Sequence, residues 1–130
     1  NNTVSLVKEK NNAYFITASI TTLPKGFSTD SKAADIHISK DGKFLYTSNR
    51  GADSIAIFKV NIANGTLTSI GYAPVLGINP RNFSLSPDEE FLLVANQDTN
   101  NIISFKRNPS SGALTFVDEI FAPTPVCILF

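Results

Sequence analysis

The 130-residue sequence contains one cysteine and one histidine, and it has no methionine or tryptophan. One cysteine cannot form an internal disulfide, and a lone thiol is compatible with a reducing compartment, so the sequence favours a cytoplasmic location. Cys127 lies in the apolar run VCILF, where we expect a packing role rather than catalysis. One histidine and one cysteine cannot build a zinc cluster, and we predict no metal site.

Excess charge of one sign and long hydrophobic runs are also missing. Eleven basic residues balance eleven acidic ones, which argues against nucleic acid or an anionic membrane surface as the main partner. No apolar stretch approaches the length of a membrane-spanning helix. The chain has neither a glycine-rich phosphate loop nor a G-x-S-x-G elbow. With 42% hydrophobic and 17% charged residues, it has the composition of a folded domain with a core.

The sequence repeats itself at an offset of 47 residues. The segment DGKFLYTSNRGADSIAIFKV at 41–60 is followed by DEEFLLVANQDTNNIISFKR at 88–107. Self-similarity at a fixed period is the signature of repeat architectures. Each copy contains four short runs rich in β-branched and aromatic residues, separated by turn residues. The predicted strands are 35–39, 43–49, 54–60 and 66–72 in the first copy, and 82–86, 90–96, 101–107 and 113–119 in the second.

Four antiparallel strands in about 45 residues describe one blade of a β-propeller. We therefore predict an all-β fold, a partial propeller with complete blades at 34–72 and 81–119. Residues 3–24 match the two outer strands of a preceding blade, and 126–130 match the first strand of a closing blade. A blade needs a neighbour on each side, so residues 1–130 are expected to be part of one propeller domain. Its exposed blade faces would then contact the remainder of the ring or another copy of the chain.

Propeller geometry brings two connections of each blade to the same rim: the entry to the innermost strand and the loop between the second and third strands. These connections carry polar side chains of several types, and loops held by a rigid scaffold often form sites. The candidate residues are Asp35, His37, Asn49 and Arg50 in the first blade and Arg81, Asn82 and Asn96 in the second.

The repeat separates structural from functional readings of these candidates. Asn49 and Asn96 repeat one another, which favours a backbone-capping role. Arg50 is matched by Gln97 in the other copy, so the fold does not require arginine there and a functional role is favoured. Arg81 breaks the repeat in the same way. His37 lies on one face of its strand with Asp35, where it is either a hydrogen-bonded structural group or a functional one.

The segment ADIHISKDGKFLYTSNRGADSIAIF at 34–58 resembles the lactonase family of seven-bladed propellers, which contains 6-phosphogluconolactonases and carboxymuconate cyclase. INPRNFSLSPDEEFLLVANQDTNNIISFKRNPSSGAL at 78–114 and PTPVCILF at 123–130 continue the resemblance. It implies that the chain is roughly the C-terminal third of a longer enzyme-like protein. It also implies a polar pocket at the channel mouth that needs no metal or other cofactor.

The resemblance implies roles for the rim residues. The positions that match the family are Asp35, His37, Arg50 and Arg81; His37, Asp35 and Arg50 would be catalytic, and Arg81 would bind the substrate, an anionic sugar lactone such as 6-phosphogluconolactone. From their place on the rim, we expect Asn82, Asn49 and Asn96 to contact the substrate as well. The family often has glutamate at the place of Asp35 and histidine at the place of Asn82, so a role that needs a second histidine is not expected here. The chain alone is expected to be inactive.

Two other functions remain open at this point. The parent protein would be a non-catalytic propeller that binds a carbohydrate acid or a protein at the same rim, or an isomerase of the muconate type that closes a lactone.

Overall fold

The computed structural model describes residues 2–130, which form β-strands connected by turns and loops. The strands are β1 (Thr3–Lys10), β2 (Ala13–Thr21), β3 (Lys32–Ile38), β4 (Phe44–Arg50), β5 (Ser54–Val60), β6 (Leu67–Pro74), β7 (Pro80–Leu85), β8 (Phe91–Asn96), β9 (Asn101–Arg107) and β10 (Leu114–Phe121). Across these residues we find no helix that would be able to cross a membrane.

The strands form three antiparallel sheets. β3, β4, β5 and β6 pair in chain order, and so do β7, β8, β9 and β10, while β1 and β2 form a two-stranded hairpin. The first strand of the second sheet, β7, lies against β3 and β4 of the first. The predicted all-β fold is confirmed, with two four-stranded blades and part of a flanking blade. The eight predicted strands all form, and the largest shift at a strand start is at β3, which begins at Lys32 rather than at position 35.

The two blades pack face to face through apolar side chains. Alternating residues of each strand point to opposite faces, which is why the β-branched and aromatic positions of the repeat meet between the sheets. The buried cluster consists of Phe44, Tyr46, Ile55, Ile57, Ala73, Val75, Phe83, Leu92, Val94, Ile103 and Phe105.

The turns between the first and second strands of each blade are built in the same way. Ser39 Oγ donates to Asp41 Oδ1 at 2.6 Å, and Ser86 Oγ donates to Asp88 Oδ1 at 2.5 Å. In each turn the aspartate accepts hydrogen bonds from the serine hydroxyl and from a backbone N–H. These bonds stabilise the carboxylate and so lower the pKa of the aspartate. These turns lie on the rim opposite the candidate residues and have a structural role.

Several apolar side chains lie uncovered on the blade faces. Ile36 and Ile38 on β3 are 50% and 54% exposed, and Phe116 and Ile120 on β10 are exposed to a similar degree. On β3 these exposed residues alternate with half-buried ones, whereas on β10 every residue after Leu114 is exposed. The finding agrees with the expectation that each blade lacks a neighbour on one side.

The assignment of residues 126–130 to the first strand of a closing blade stays a prediction. Residues 126–130 do not form a strand, because a strand needs a paired neighbour and no other strand among residues 2–130 pairs with them. Cys127 is exposed rather than packed, for the same reason.

Candidate functional site

Both innermost strands carry a β-bulge at the rim where the candidate residues lie. The register of β3 against β4 shifts between Ala33 and Ile36, and that of β7 against β8 shifts between Pro80 and Asn82. The bulge frees the backbone N–H of Asp35 from the strand ladder, and this N–H donates to Ser48 Oγ at 3.1 Å. Bulges redirect side chains and recur beside functional sites.

The Asp35 carboxylate is the centre of a hydrogen-bond network between the blades. Its Oδ2 accepts from Asn82 Nδ2 at 2.6 Å and from the backbone N–H of Phe83 at 3.1 Å, both in the second blade. Its Oδ1 accepts from the backbone N–H of Ile36 at 2.8 Å. With these donors in place, Asp35 is held in one orientation.

His37 lies beside this carboxylate. Its Nε2 is 3.2 Å from Asp35 Oδ2, and the side chain is 37% exposed. The imidazole packs against Phe83 in an edge-on arrangement, with ring centroids 4.8 Å apart. When Nε2 carries the proton toward Asp35, Nδ1 is left as the acceptor. The arrangement is that of an imidazole oriented by a carboxylate.

Asn82 connects the network to the C-terminal segment. Its Oδ1 accepts from the backbone N–H of Ile128 at 2.7 Å while its Nδ2 bonds Asp35. The same contact occurs one blade earlier, where the N–H of Phe83 bonds Asp35. The segment around Ile128 therefore contacts the second blade in the way that the start of β7 contacts the first. The substrate contact predicted for Asn82 stays a prediction.

The two arginines lie on the same rim but make no hydrogen bond to Asp35, His37 or Asn82 in the part of the chain that the structure describes. Arg50 ends β4 opposite Lys32, the first residue of β3. Its Nε is buried without a hydrogen-bond partner among residues 2–130. Arg81 is exposed, and its guanidinium donates to Gln97 Oε1 at 3.3 Å.

Asn49 and Asn96 have the structural role that their repetition indicates. Both side chains are fully buried. Asn49 Nδ2 donates to the carbonyl of Thr22 at 2.8 Å, and Asn96 Nδ2 donates to the carbonyl of Val75 at 2.9 Å. Each carbonyl lies just after the strand that ends the preceding sheet, so the amides fix the connections between sheets. Neither side chain is exposed, and the substrate-binding role expected for them stays a prediction.

Sequence reasoning missed two contributors, Ser48 and Ile128, and did not assign a role to Asp53. Ser48 replaces Ala95 of the other copy, and this break in the repeat is the signal that could have identified it. Asp53 Oδ1 accepts from the N–H of Gly51 at 3.1 Å and from the N–H of Asn79 at 3.0 Å, and so ties the loop of the first blade to the entry of the second.

Comparison with known proteins identifies what this arrangement is similar to. The family model described as "Lactonase, 7-bladed beta-propeller" matches residues 1–130. A 6-phosphogluconolactonase of Formosa agariphila is 59% identical over 56 residues, which is 42% of this chain and 16% of that protein.

Solved structures cover nearly the whole chain. A protein from Lactobacillus plantarum superposes on 97% of it with a TM-score of 0.92 at 34% identity. The periplasmic gluconolactonase PpgL of Pseudomonas aeruginosa covers 95% of it with a TM-score of 0.90 at 32% identity. The chain spans 38% and 35% of the lengths of these two proteins.

Proposed function

Because the chain belongs to the family of seven-bladed β-propeller lactonases, we propose that it forms the C-terminal sectors of a ring that hydrolyses a sugar-acid lactone. The uncovered apolar faces, Ile36 and Ile38 among them, are then covered by the remaining blades. Residues 3–24 belong to the preceding blade, and residues 126–130 add the innermost strand of the closing one. The 130-residue chain alone is inactive, since most of the pocket wall comes from the other blades.

The observation that carries the proposal is the contact between His37 and Asp35 at the channel rim. In lactone opening, His37 takes a proton from water as the water attacks the carbonyl carbon, and it gives this proton to the ring oxygen as the bond between the carbonyl carbon and that oxygen breaks. Asp35 orients the imidazole and stabilises its protonated form. Asp35 is not the base itself, because its oxygens already accept three hydrogen bonds besides the histidine contact.

Arg50 and Arg81 supply positive charge on the same rim. A guanidinium binds carboxylate or phosphate with two parallel hydrogen bonds, and it stabilises the oxyanion that develops during lactone opening. Arg50 is the stronger candidate for contact with a substrate, since its buried Nε lacks a partner. Arg81 is held by Gln97 and completes the rim from the second blade.

The test uses the complete ring and measures hydrolysis of 6-phosphogluconolactone. His37→Ala lowers kcat by roughly 100-fold or more, as expected for removal of a general base. Ser110→Ala, an exposed change on the opposite rim, leaves it unchanged. Near-normal rates for both His37→Ala and Arg50→Ala would end the proposal.

The same assays separate the other two functions. A ring that binds 6-phosphogluconate through Arg50 but turns over no lactone is a binding protein. A ring that closes a lactone from an unsaturated diacid is an isomerase. The cytoplasmic location stays a prediction, and one similar protein is described as periplasmic.

A further inference from the structure

Two positive side chains face each other at the rim end of the first blade. Lys32 and Arg50 are directly paired across β3 and β4, and like charges in that position destabilise a sheet. Within residues 2–130, no carboxylate lies within 4.0 Å of a nitrogen of either side chain. The two charges are therefore not compensated within the described chain.

The second blade shows that the fold does not need this charge. The equivalent residues, 47 positions later, are Asn79 and Gln97. They are neutral, and Asn79 Nδ2 donates to Gln97 Oε1 at 3.5 Å. Two neutral amide side chains thus occupy the equivalent positions in the second blade, and the cationic pair in the first blade requires another explanation.

The cationic pair borders a cavity. Lys32 and Arg50 line a space of about 290 Å³ together with Asp30, Ser31, Gly51 and Asn79. The buried Nε of Arg50 lacks a hydrogen-bond partner, and a buried donor without an acceptor is costly. Asp30 is the single carboxylate among the lining residues, so the lining keeps a net positive charge that favours an anion.

The cavity is on the same face as the Asp35–His37 pair. Along β4, Arg50, Ser48 and Tyr46 alternate and so share a face. Lys32 pairs with Arg50, Asp35 bonds Ser48, and His37 pairs with Tyr46. From Ser48 to Arg50 the strand rises about 7 Å, which one sugar phosphate can span.

We propose that Lys32 and Arg50 bind the phosphate group of a phosphorylated sugar lactone, and that this pair makes the protein prefer phosphorylated over unphosphorylated lactones. The proposal rests on the lactonase function proposed above. Arg50 grips two phosphate oxygens with its planar guanidinium, and Lys32 adds a flexible point charge. The pair of positive side chains that has no counterpart in the second blade thus selects the substrate.

The first experiment measures binding of inorganic phosphate to the chain at low salt by amide chemical shifts. The double variant Lys32→Asn/Arg50→Gln installs the pair found in the second blade, so the sheet should still form. Its phosphate affinity falls about tenfold or more, as expected for loss of charge-assisted hydrogen bonds. Lys59→Asn, a matched loss of an exposed charge at the other end of the sheet, leaves the affinity unchanged.

Unchanged affinity in the double variant overturns the proposal, and so does an equal loss in Lys59→Asn. If the double variant does not fold, Lys32→Gln alone is measured in the same way, with an expected loss of severalfold. Amide shifts confined to residues away from Lys32 and Arg50 also count against the site.

The second experiment uses the complete ring and compares kcat/KM for 6-phosphogluconolactone with kcat/KM for glucono-1,5-lactone. Lys32→Asn lowers the ratio of the two about tenfold, and Lys59→Asn does not change it. Phosphate binding without any change in this ratio means that the site takes free phosphate, which overturns the substrate assignment. If neither lactone is hydrolysed, the proposed lactonase function is wrong. The phosphate site is then tested by comparing the affinity for 6-phosphogluconate with the affinity for gluconate.

Discussion

Asn82 Nδ2 donates a 2.6 Å hydrogen bond to Asp35 Oδ2, although the two residues occupy the same position in successive copies of the repeat. Each also accepts a backbone N–H from the segment that follows its own blade, Phe83 for Asp35 and Ile128 for Asn82. One repeat position thus links the first blade to the second and the second blade to the C-terminal segment. The Asp35 carboxylate needs an amide, and not a second carboxylate, beside it.

Replacing the amide of Asn82 by a carboxylate should therefore destabilise the fold, and a second substitution at Asp35 should recover part of the loss. Asn82→Asp places two negative charges in contact and lowers the free energy of unfolding by about 2–4 kcal/mol, given that charges 4 Å apart near a surface interact by about 4 kcal/mol. The additional substitution Asp35→Asn removes the repulsion and recovers part of the loss. Urea unfolding at pH 7 measures both. Equal stabilities of the single and double variants would contradict the assigned contact.

Much of the fold was predictable from the sequence because the repeat is local and regular. Apolar residues alternate in each run, turn residues separate the runs, and the offset of 47 residues aligns the two blades without ambiguity. The rim was predictable for the same reason, since strand order alone places Asp35, Arg50 and Arg81 at the same end of the sheets. The structural role of Asn49 and Asn96 also followed from their repetition.

The contacts that make a site could not be predicted in this way. The bulges that set the direction of Asp35 and Asn82 are register shifts between strands, and the sequence pattern does not specify them. The state of Cys127 depends on whether another segment pairs with residues 126–130. Contacts between blades, such as Asn82 to Asp35, join residues far apart in the chain.

A buried ion pair at the opposite rim was also missed. Arg107 Nε donates to the carbonyl of Glu89 at 2.8 Å, and Arg107 Nη2 lies 3.3 Å from Glu89 Oε2. Glu89 Oε1 accepts the N–H of Lys40 in the first blade at 2.8 Å. The equivalent residues in the first copy are Gly42 and Val60. Both members break the repeat, and that is the signal that would have found them.

Breaking this pair from one side should cost more than removing it. Arg107→Val leaves Glu89 buried without its cation, and the free energy of unfolding falls by about 3–5 kcal/mol. Adding Glu89→Gly restores stability in part, because the second blade then has the pair of the first. Glycine also suits the backbone there, since Glu89 has a φ of 59° where Gly42 has 70°. A double variant less stable than Arg107→Val alone would show that the ion pair is not the cause.

Tyr46 should give the protein a stability limit at high pH. Its side chain is fully buried, its hydroxyl donates to the carbonyl of Gly112 at 3.0 Å, and burial raises its pKa above the ordinary value of 10.0. A raised pKa means that the neutral phenol stabilises the folded state below pH 10.0. This contribution is lost as the pH rises from 10.0 through the pKa of the folded state.

Tyr46→Phe tests this directly. At pH 7 the variant loses about 0.5–1.5 kcal/mol with the hydrogen bond, but its stability declines less steeply above pH 10 than that of the unsubstituted chain. Urea midpoints at pH 7, 9 and 11 measure the difference. Tyr14→Phe is the control, because Tyr14 is 75% exposed, and it should follow the unsubstituted chain at every pH. Parallel curves for Tyr46→Phe and Tyr14→Phe would refute the assignment.

Two glycines, one on each rim, allow the cost of backbone strain to be separated from the cost of close packing. Gly42 and Gly51 both have positive φ, 70° and 95°. A Cβ on Gly42 meets nothing within 4 Å, whereas a Cβ on Gly51 would lie 2.3 Å from the carbonyl oxygen of Asp30. Gly42→Ala should cost only the strain of a left-handed residue, about 1–2 kcal/mol. Gly51→Ala should cost more, because two backbone segments must move apart.

Those two segments line the cavity beside Arg50. Gly51→Ala should therefore weaken phosphate binding as well as stability, while Gly42→Ala, on the opposite rim, should leave binding unchanged. Thermal unfolding and phosphate titration of both variants give the comparison. Equal losses of stability would mean that the approach of Gly51 to Asp30 is not tight. A loss of stability in Gly51→Ala with unaltered phosphate affinity would separate the loop geometry from the anion site and assign binding to the Lys32 and Arg50 side chains alone.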